Sequence, residues 1–422
     1  MELYLKNIGK IEETTIAIRG ITVIAGENNT GKSTVGRALF SVFNGFYEIE
    51  EQIHEERFSG IANILQLINR RVAFSGHDLF TRIDDFVNDL VENKDKYIKC
   101  PLQILEGVRS VFGIGDDDYK KLSDILNVEK DICDRILELL KVSDDEILES
   151  VLNKRIDEEF KGQILNVFSD TNGMISLKIK NEMINLDITE NAVYLDEPKY
   201  NLHTRAVYID DPFVLDDNDY VIGQKFFSHR EQLKKQLLSI KSNPSVVEEI
   251  VMGNKLEKIY DKLSAVCAGN ILRQNNRKFV YQINNSDKML NMNNLSTGIK
   301  MFAIIKTLLL NGVIQDNGTL ILDEPEIHLH PEWQLAFAEL IVLIHKEFGL
   351  HILLNTHSPY FLRAIQVYSA KYEVGDMCNY YLAENGENGV AFIKDVTDSI
   401  DEIYKKLSAP LQRLEDERWS VD

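Results

Sequence analysis

The chain opens on three short runs of strand character. ELYLKN (2–7), EETTIAI (12–18) and GITVIA (20–25) carry β-branched residues in partial alternation with polar ones, the period of a pleated strand. The pattern then changes. STVGRALFSVF, from residue 33, spaces its apolar residues as a helix does, and GENNTGKST (26–34) lies between the third strand and this helix. From about 46 to 165 the pattern is helical and acidic, with Leu122, Ile125, Leu126, Cys133, Ile136, Leu137 and Leu140 at helical intervals. Ser143 and Glu146 have the spacing of a capping box ahead of ILESVL. No heptad repeat is sustained there, so long coiled-coil arms are not expected. GMISLKIKNEMINLDI predicts two further strands, and RAVYIDDP another that ends at Pro212. A second helical stretch follows over about 223–267, then a strand at KFVYQINN.

Two later runs, TLIL (319–322) and ILLNT (352–356), are short, continuously apolar or β-prone, and stop at polar residues. That is the pattern of parallel strands buried on both faces. NNLSTGIK (293–300), a turn of small residues, leads into the apolar helical run MFAIIKTLLL. With no internal repeat and no Gly/Ser-rich linker, the expected arrangement is one α/β domain interrupted by insertions. Residues 1–45 and 268–422 form the head, 46–165 a helical insertion, 166–215 a β segment belonging to the head, and 216–267 a second helical insertion.

Composition adds boundaries. At 422 residues, 44% apolar and 27% charged, the chain has the make-up of a globular protein with a sizeable core. It lacks a run of about 18 apolar residues and a signal-peptide pattern, so a cytoplasmic protein without a membrane partner is expected. The net charge of −20 argues against a general polyanion binder but leaves room for a local basic groove. Cys100, Cys133, Cys267 and Cys378 are scattered without a C-x-x-C pair, which reads as reduced packing residues.

The chemistry lies at the strand ends. Gly26, Gly31, Lys32 and Ser33 satisfy G-x-x-x-x-G-K-[ST], and the strand before and helix after are the context the motif needs. Glycines let successive N–H groups turn inward as an anion nest, and the helix aims its positive end at phosphate. The loop residues Asn28, Asn29 and Thr30, with Thr34 after them, complete the expected nucleotide site. Lys32 is expected to bridge the β- and γ-phosphates of ATP, and Ser33 to ligate Mg2+. At the end of TLIL, Asp323 is placed to hold Mg2+ and Glu324 to act as general base on the attacking water. Glu326 reads equally as catalytic support or loop structure. His357, just past ILLNT, is expected to bond the γ-phosphate or position water. Ser296, Thr297 and Gly298 can also present donors to phosphate at a helix start, but within one chain such a turn would lie away from the P-loop nucleotide. Two copies head to tail about a two-fold axis resolve this, each capping the other's ATP with Ser296 and Gly298.

Taken together, GENNTGKS, LSTGIK, LILDEP and His357 resemble the Walker A, signature, Walker B and switch histidine of ABC-type ATPases. The early strands, the large insertion and the phrases DEPEIHLHPEWQ and THSPYFLRAI look more like the SMC, recombination-repair and overcoming-lysogenization-defect branch than transporter subunits. They are similar to the ATPase subunits of PARIS-type and Septu-type phage-defence systems. The resemblance covers about 1–45 and 290–370 and implies a P-loop NTPase of ABC/SMC-head type. It implies a homodimer or higher oligomer through composite ATP sites, and the same roles for Lys32, Ser33, Asp323, Glu324, Ser296, Gly298 and His357. His328 and His330 fall where the family has a dimer-communicating loop, though plain loop packing serves equally. The family's glutamine after the P-loop helix has no clear counterpart. Asp210 and Asp211 in YIDDP rank ahead of Gln224. No acidic constellation of a Toprim nuclease follows the switch region, so such a domain is not expected. A regulatory ATPase acting on a separate effector, for instance a nuclease, is the expected function in phage defence. The alternative is a repair or chromosome-maintenance engine acting directly on DNA, through basic residues such as Arg230, Lys234, Lys235, Arg273, Arg277 and Lys278. A transporter motor lacks a recognisable coupling element.

Overall fold

The computed structural model describes residues 1–72, 78–113, 123–195, 200–216, 228–239, 246–274, 278–284 and 286–419. The chain divides into two compact units, residues 1–47 with 152–422, and residues 48–151.

In the larger unit the three N-terminal runs form β1 (Glu2–Ile8), β2 (Ile11–Ala17) and β3 (Ile21–Gly26), and the P-loop leads into α1 (Lys32–Gly45). The smaller unit is helical: α2 (Ile49–Val72), α3 (Leu79–Glu92), α4 (Lys94–Lys99), α5 (Leu102–Phe112) and α6 (Ser123–Lys141), then the start of α7 (Asp144–Phe160), which runs on past residue 151. Its core is made of aliphatic side chains at helical spacing, among them Ile61, Leu65, Ile83, Val87, Ile136 and Leu140. The capping box forms at the start of α7: the Glu146 N–H donates to Ser143 Oγ at 3.2 Å, and the Ser143 N–H donates to Glu146 Oε2 at 2.9 Å. Arg57, a buried side chain, reaches Asp144 Oδ1 at 2.9 Å in the same unit.

The chain then adds β4 (Gly173–Ile179), β5 (Glu182–Thr189), β6 (Ala192–Leu195) and β7 (Ala206–Ile209). After a short turn at Pro212–Leu215 come α8 (His229–Leu238), α9 (Val246–Val266), β8 (Gly269–Arg273), β9 (Phe279–Ile283) and β10 (Met289–Asn291). The remainder comprises α10 (Thr297–Leu310), β11 (Thr319–Asp323), α11 (Pro331–Phe348), β12 (His351–Thr356), α12 (Pro359–Lys371), β13 (Cys378–Asn385), β14 (Ala391–Asp395) and α13 (Asp401–Trp419).

One large sheet runs in the order β6-β5-β4-β1-β2-β14-β13-β3-β12-β11-β7, and β10-β9-β8 make a small antiparallel sheet. The half from β13 to β7 is all parallel, and the half from β6 to β2 is antiparallel. Every residue of β3 is buried, as its unbroken apolar pattern requires of a strand covered on both faces. Alternate residues serve the two faces. Ile21, Val23, Ala25, Leu320, Leu322, Val207 and Ile209 join a core shared with α8 to α12. Ile321 and Tyr208 point the other way and meet α1 at Gly36, where a Cβ would come within 3.1 Å of both side chains. Pairing of β12 with β3 on one side and β11 on the other brings three carboxyl ends side by side: Thr356 is opposite Ala25, and Asn355 is opposite Asp323. In an open parallel sheet this is the edge at which ligands bind.

Candidate functional site

The P-loop is shaped by two glycines. Gly31, at φ +80°, caps α1 in the left-handed region that costs other residues a Cβ clash. Gly26 lies so close to β13 that a Cβ there would be 2.2 Å from the Ala383 carbonyl oxygen. Asn29 also has positive φ, at +64°, and its carbonyl accepts from Lys10 Nζ at 3.2 Å. Thr30 Oγ1 donates to the Glu27 carbonyl at 2.8 Å, and the Thr34 N–H to Gly31 at 3.1 Å, while Asn28 is exposed at the loop's tip. Ser33 is half-buried in the first turn of α1.

Lys32 is 4% exposed. Its ammonium donates to the carbonyls of Gly26 at 3.1 Å and Glu27 at 2.7 Å and stands 3.5 Å from Glu324 Oε1. Glu324 Oε2 in turn is 3.5 Å from His357 Nδ1. The contact with His357 leads in holding the Glu324 carboxyl below its ordinary value, burial opposes it, and the Lys32 charge adds to the lowering. The same contact leads in raising His357. Glu324 is therefore an ionised carboxylate between the Lys32 ammonium and the His357 imidazole. Its backbone is left-handed, at φ +49°, an unfavourable region for a residue with a Cβ, and its N–H is tied to the Asn355 carbonyl at 2.9 Å.

Asp323, at the last position of β11, has both oxygens engaged. Oδ1 accepts from Asn355 Nδ2 at 2.9 Å and Oδ2 from the Tyr208 hydroxyl at 3.0 Å. Burial, then the charges of Asp323 and Asp210, push Tyr208 well above its ordinary value, so its hydroxyl remains a donor. Among the described residues no group of three or more His, Cys, Asp or Glu could cage a metal ion. A single carboxylate together with the hydroxyl of a P-loop helix suits Mg2+, which keeps waters and takes its other oxygens from phosphate. Glu326, 2% exposed, supports the histidine: Oε1 accepts from the Thr356 hydroxyl and from the His357 N–H at 3.1 Å, and burial pushes its carboxyl up.

Lys32, Asp323, Glu324 and His357 thus meet at adjoining strand ends. Among the described residues no hydrogen bond or ion pair joins Ser296 or Gly298 to this group. Ser296 is exposed and starts α10 without its hydroxyl capping the helix. Gly298 is buried against Trp333, whose ring would be 2.7 Å from an added Cβ. Lys300, two residues on, is buried and paired with Asp216 at 2.7 Å. Of the candidates for the family's glutamine, Gln224 lies outside the described residues. Asp210 pairs with His229 Nε2 at 2.9 Å and Asp211 with Arg230 at 3.0 Å. The exposed His328 ring sits edge-on to Phe213 at 5.5 Å, and His330 caps α11. Of the basic residues, Arg230 is paired and Lys234 is 8% exposed, Lys235, Arg273 and Lys278 are exposed, and Arg277 is outside the described residues.

Sequence reasoning did not single out Tyr208, His229, Glu159 or Asn355. Tyr208 and Asn355 are ordinary strand residues, and only the pairing of β7, β11 and β12 brings them to Asp323. The polar Asn355 within an apolar strand was the one available signal.

A P-loop before a helix, a carboxylate pair ending β11 and a histidine beyond β12, on a half-parallel, half-antiparallel sheet interrupted by a helical unit, define a P-loop NTPase of the ABC/SMC-head type. The chain belongs to the family described as "AAA domain, putative AbiEii toxin, Type IV TA system", whose model matches residues 21–363. Among solved structures it is similar to an SMC head domain from Thermotoga maritima, at 12% identity and TM-score 0.38 over 94% of this chain and 98% of that one. An SmcHead bound to the C-winged helix domain of ScpA gives 12% identity and TM-score 0.41 over 93% and 96%. An Smc head with an extended coiled coil, bound to the C-terminal domain of ScpA derived from Pyrococcus furiosus, gives 11% and 0.35 over 99% and 98%. No curated protein matches the chain. Among the described residues no helix is long and apolar enough to cross a membrane.

Proposed function

We propose that the chain binds ATP with Mg2+ and hydrolyses it, in pairs of copies whose ATP-driven association regulates a separate effector, in bacterial anti-phage defence. The observation that carries the ATPase reading is the approach of Lys32 and His357 to the two oxygens of Glu324, each at 3.5 Å, beside the P-loop. In this reading the loop's N–H groups and Lys32 bind the β- and γ-phosphates, and Ser33 and Asp323 hold Mg2+. The ion, when bound, neutralises charge on the phosphate oxygens. Phosphate oxygens offered to Lys32 and His357 would draw both groups off Glu324. The carboxylate, no longer held low by them, becomes a better acceptor for a proton of the attacking water. Buried Glu326 fixes the backbone of His357 by accepting from its N–H, and in this reading the imidazole would bond the γ-phosphate. Exposed Ser296, at the start of α10, suits the nucleotide of a second copy, to which Gly298, buried against Trp333, would contribute only through its backbone N–H.

The family description as a toxin of a toxin–antitoxin system is in keeping with an ATPase that controls a harmful effector. A DNA engine is less well supported: Arg230 is paired and Lys234 buried, and although Lys235, Arg273 and Lys278 are exposed, the chain's net charge of −20 argues against a general polyanion binder. Glu324→Gln tests the reading. It should keep ATP affinity, slow hydrolysis by about 100-fold or more, and shift the protein to a dimer or larger assembly in light scattering with ATP. A tightly ATP-bound variant that stays monomeric would remove the composite site. Mass spectrometry of what co-purifies with this variant from its native host then separates effector from DNA: a stoichiometric protein without protected nucleic acid supports the regulatory role, and protected DNA alone supports the engine.

A further inference from the structure

The carboxylate assigned to the metal is gripped from a direction its own strand does not supply. Tyr208 lies on β7 in register with Ile321, two positions before Asp323 on β11. Residues two apart on a strand share a face, so the tyrosine ring runs along that face toward the carboxylate. Its hydroxyl donates to Asp323 Oδ2 at 3.0 Å. The space it occupies is opened by Gly36 of α1, one turn beyond Lys32 and Ser33, where a Cβ would stand 3.1 Å from the hydroxyl oxygen.

The ring cannot easily swing. It is 1% exposed, stacked on the His229 imidazole at 4.3 Å between centroids and 25° between planes, with Phe40 edge-on at 5.9 Å. His229 is itself fixed at both nitrogens, by Glu159 Oε2 at 2.7 Å and Asp210 Oδ2 at 2.9 Å, and Phe40 meets it edge-on at 6.0 Å. A rigid donor thus holds one oxygen of Asp323, and Asn355 holds the other at 2.9 Å. Each oxygen keeps lone-pair capacity for a further partner.

Resting on the assignment of Asp323 to the metal, we propose that Tyr208 is a positioning residue, locked by the His229 stack, that sets the orientation in which Asp323 meets the divalent cation bound with nucleotide. Carboxylate ligands need such outer partners to stay aimed, and loss of one commonly costs about 10–100-fold in metal affinity.

The test is Mn2+ binding in the presence of ADP, read by electron paramagnetic resonance, with ADP affinity in EDTA measured separately by calorimetry. Tyr208→Phe keeps the ring and the stack and removes only the donor. It should weaken Mn2+ by about tenfold while leaving metal-free ADP affinity unchanged, a split that general loosening of the fold would not produce. Gly36→Ala keeps the hydroxyl but crowds it, and should weaken Mn2+ by a smaller, several-fold factor. It remains informative if Tyr208→Phe does not fold. Mn2+ affinity equal to wild type in the folded variants overturns this inference alone. A wild-type protein that binds ADP but takes up no Mn2+ with it overturns the assignment of Asp323, and the inference falls with it.

Discussion

Replacing His229 by Gln leaves a neutral side chain where an imidazole is held between Glu159 and Asp210. Burial opposes charging the ring, but the bonds to Asp210 and Glu159 win and raise its pKa from 6.5 to about 9. The ring is 12% exposed, so solvent screens little of this. At roughly 1.4 kcal/mol per pKa unit, the difference is on the order of 3 kcal/mol of stability. The sign follows from the direction. The folded value lies above the ordinary one, so the contribution is complete below about pH 6.5 and is lost as pH rises through about 9. With an unfolding entropy of about 2 cal/mol/K per residue over the larger unit, the loss corresponds to about 4–5 °C. Melting followed by circular dichroism from pH 6 to pH 10 should show His229→Gln below wild type by that margin at pH 6 to 7. The gap should close toward pH 10, where the wild-type imidazole has itself become neutral. A gap that stays constant across the range would mean that the imidazole contributes by packing on Tyr208 alone, and a gap that widens with pH would refute the charge argument.

Lys32→Ala should abolish measurable ATP binding in calorimetry, because the buried ammonium is the one side-chain cation among the P-loop residues; unchanged affinity would remove the P-loop assignment. Asp216→Ala leaves the Lys300 ammonium, 2% exposed, without its carboxylate and should cost about 3–5 kcal/mol in denaturant unfolding. Lys300→Met, which removes the buried charge and leaves the more exposed Asp216 partner, should cost clearly less; equal losses would show that the pair acts by packing and not by charge.

Much of this protein is legible in the order of its amino acids. The P-loop, the Asp323–Glu324 pair and His357 each follow a short apolar run directly, and each run became a buried parallel strand. Local chemistry suffices there: a continuously apolar strand must be covered on both faces, and its polar continuation must emerge at the ligand-binding edge. The capping box at Ser143 and Glu146 was legible for the same reason, since both partners lie within one helical turn.

What the sequence could not disclose was adjacency. The short strand AVYL (192–195) and the pair β13 and β14 carried no motif, and they took their places in the sheet through pairing with distant strands. Tyr208 lies 115 residues from Asp323, Glu159 lies 70 from His229, and Asp216 lies 84 from Lys300. Periodicity states which face a residue takes, not which element will cover that face. The chain alone determined the strand ends and the chemistry they carry. Tertiary structure decided that β7 lies beside β11, and with it that a tyrosine stacked on a doubly bonded histidine holds Asp323, because strand order is settled by how whole elements bury their faces and by no short stretch of sequence.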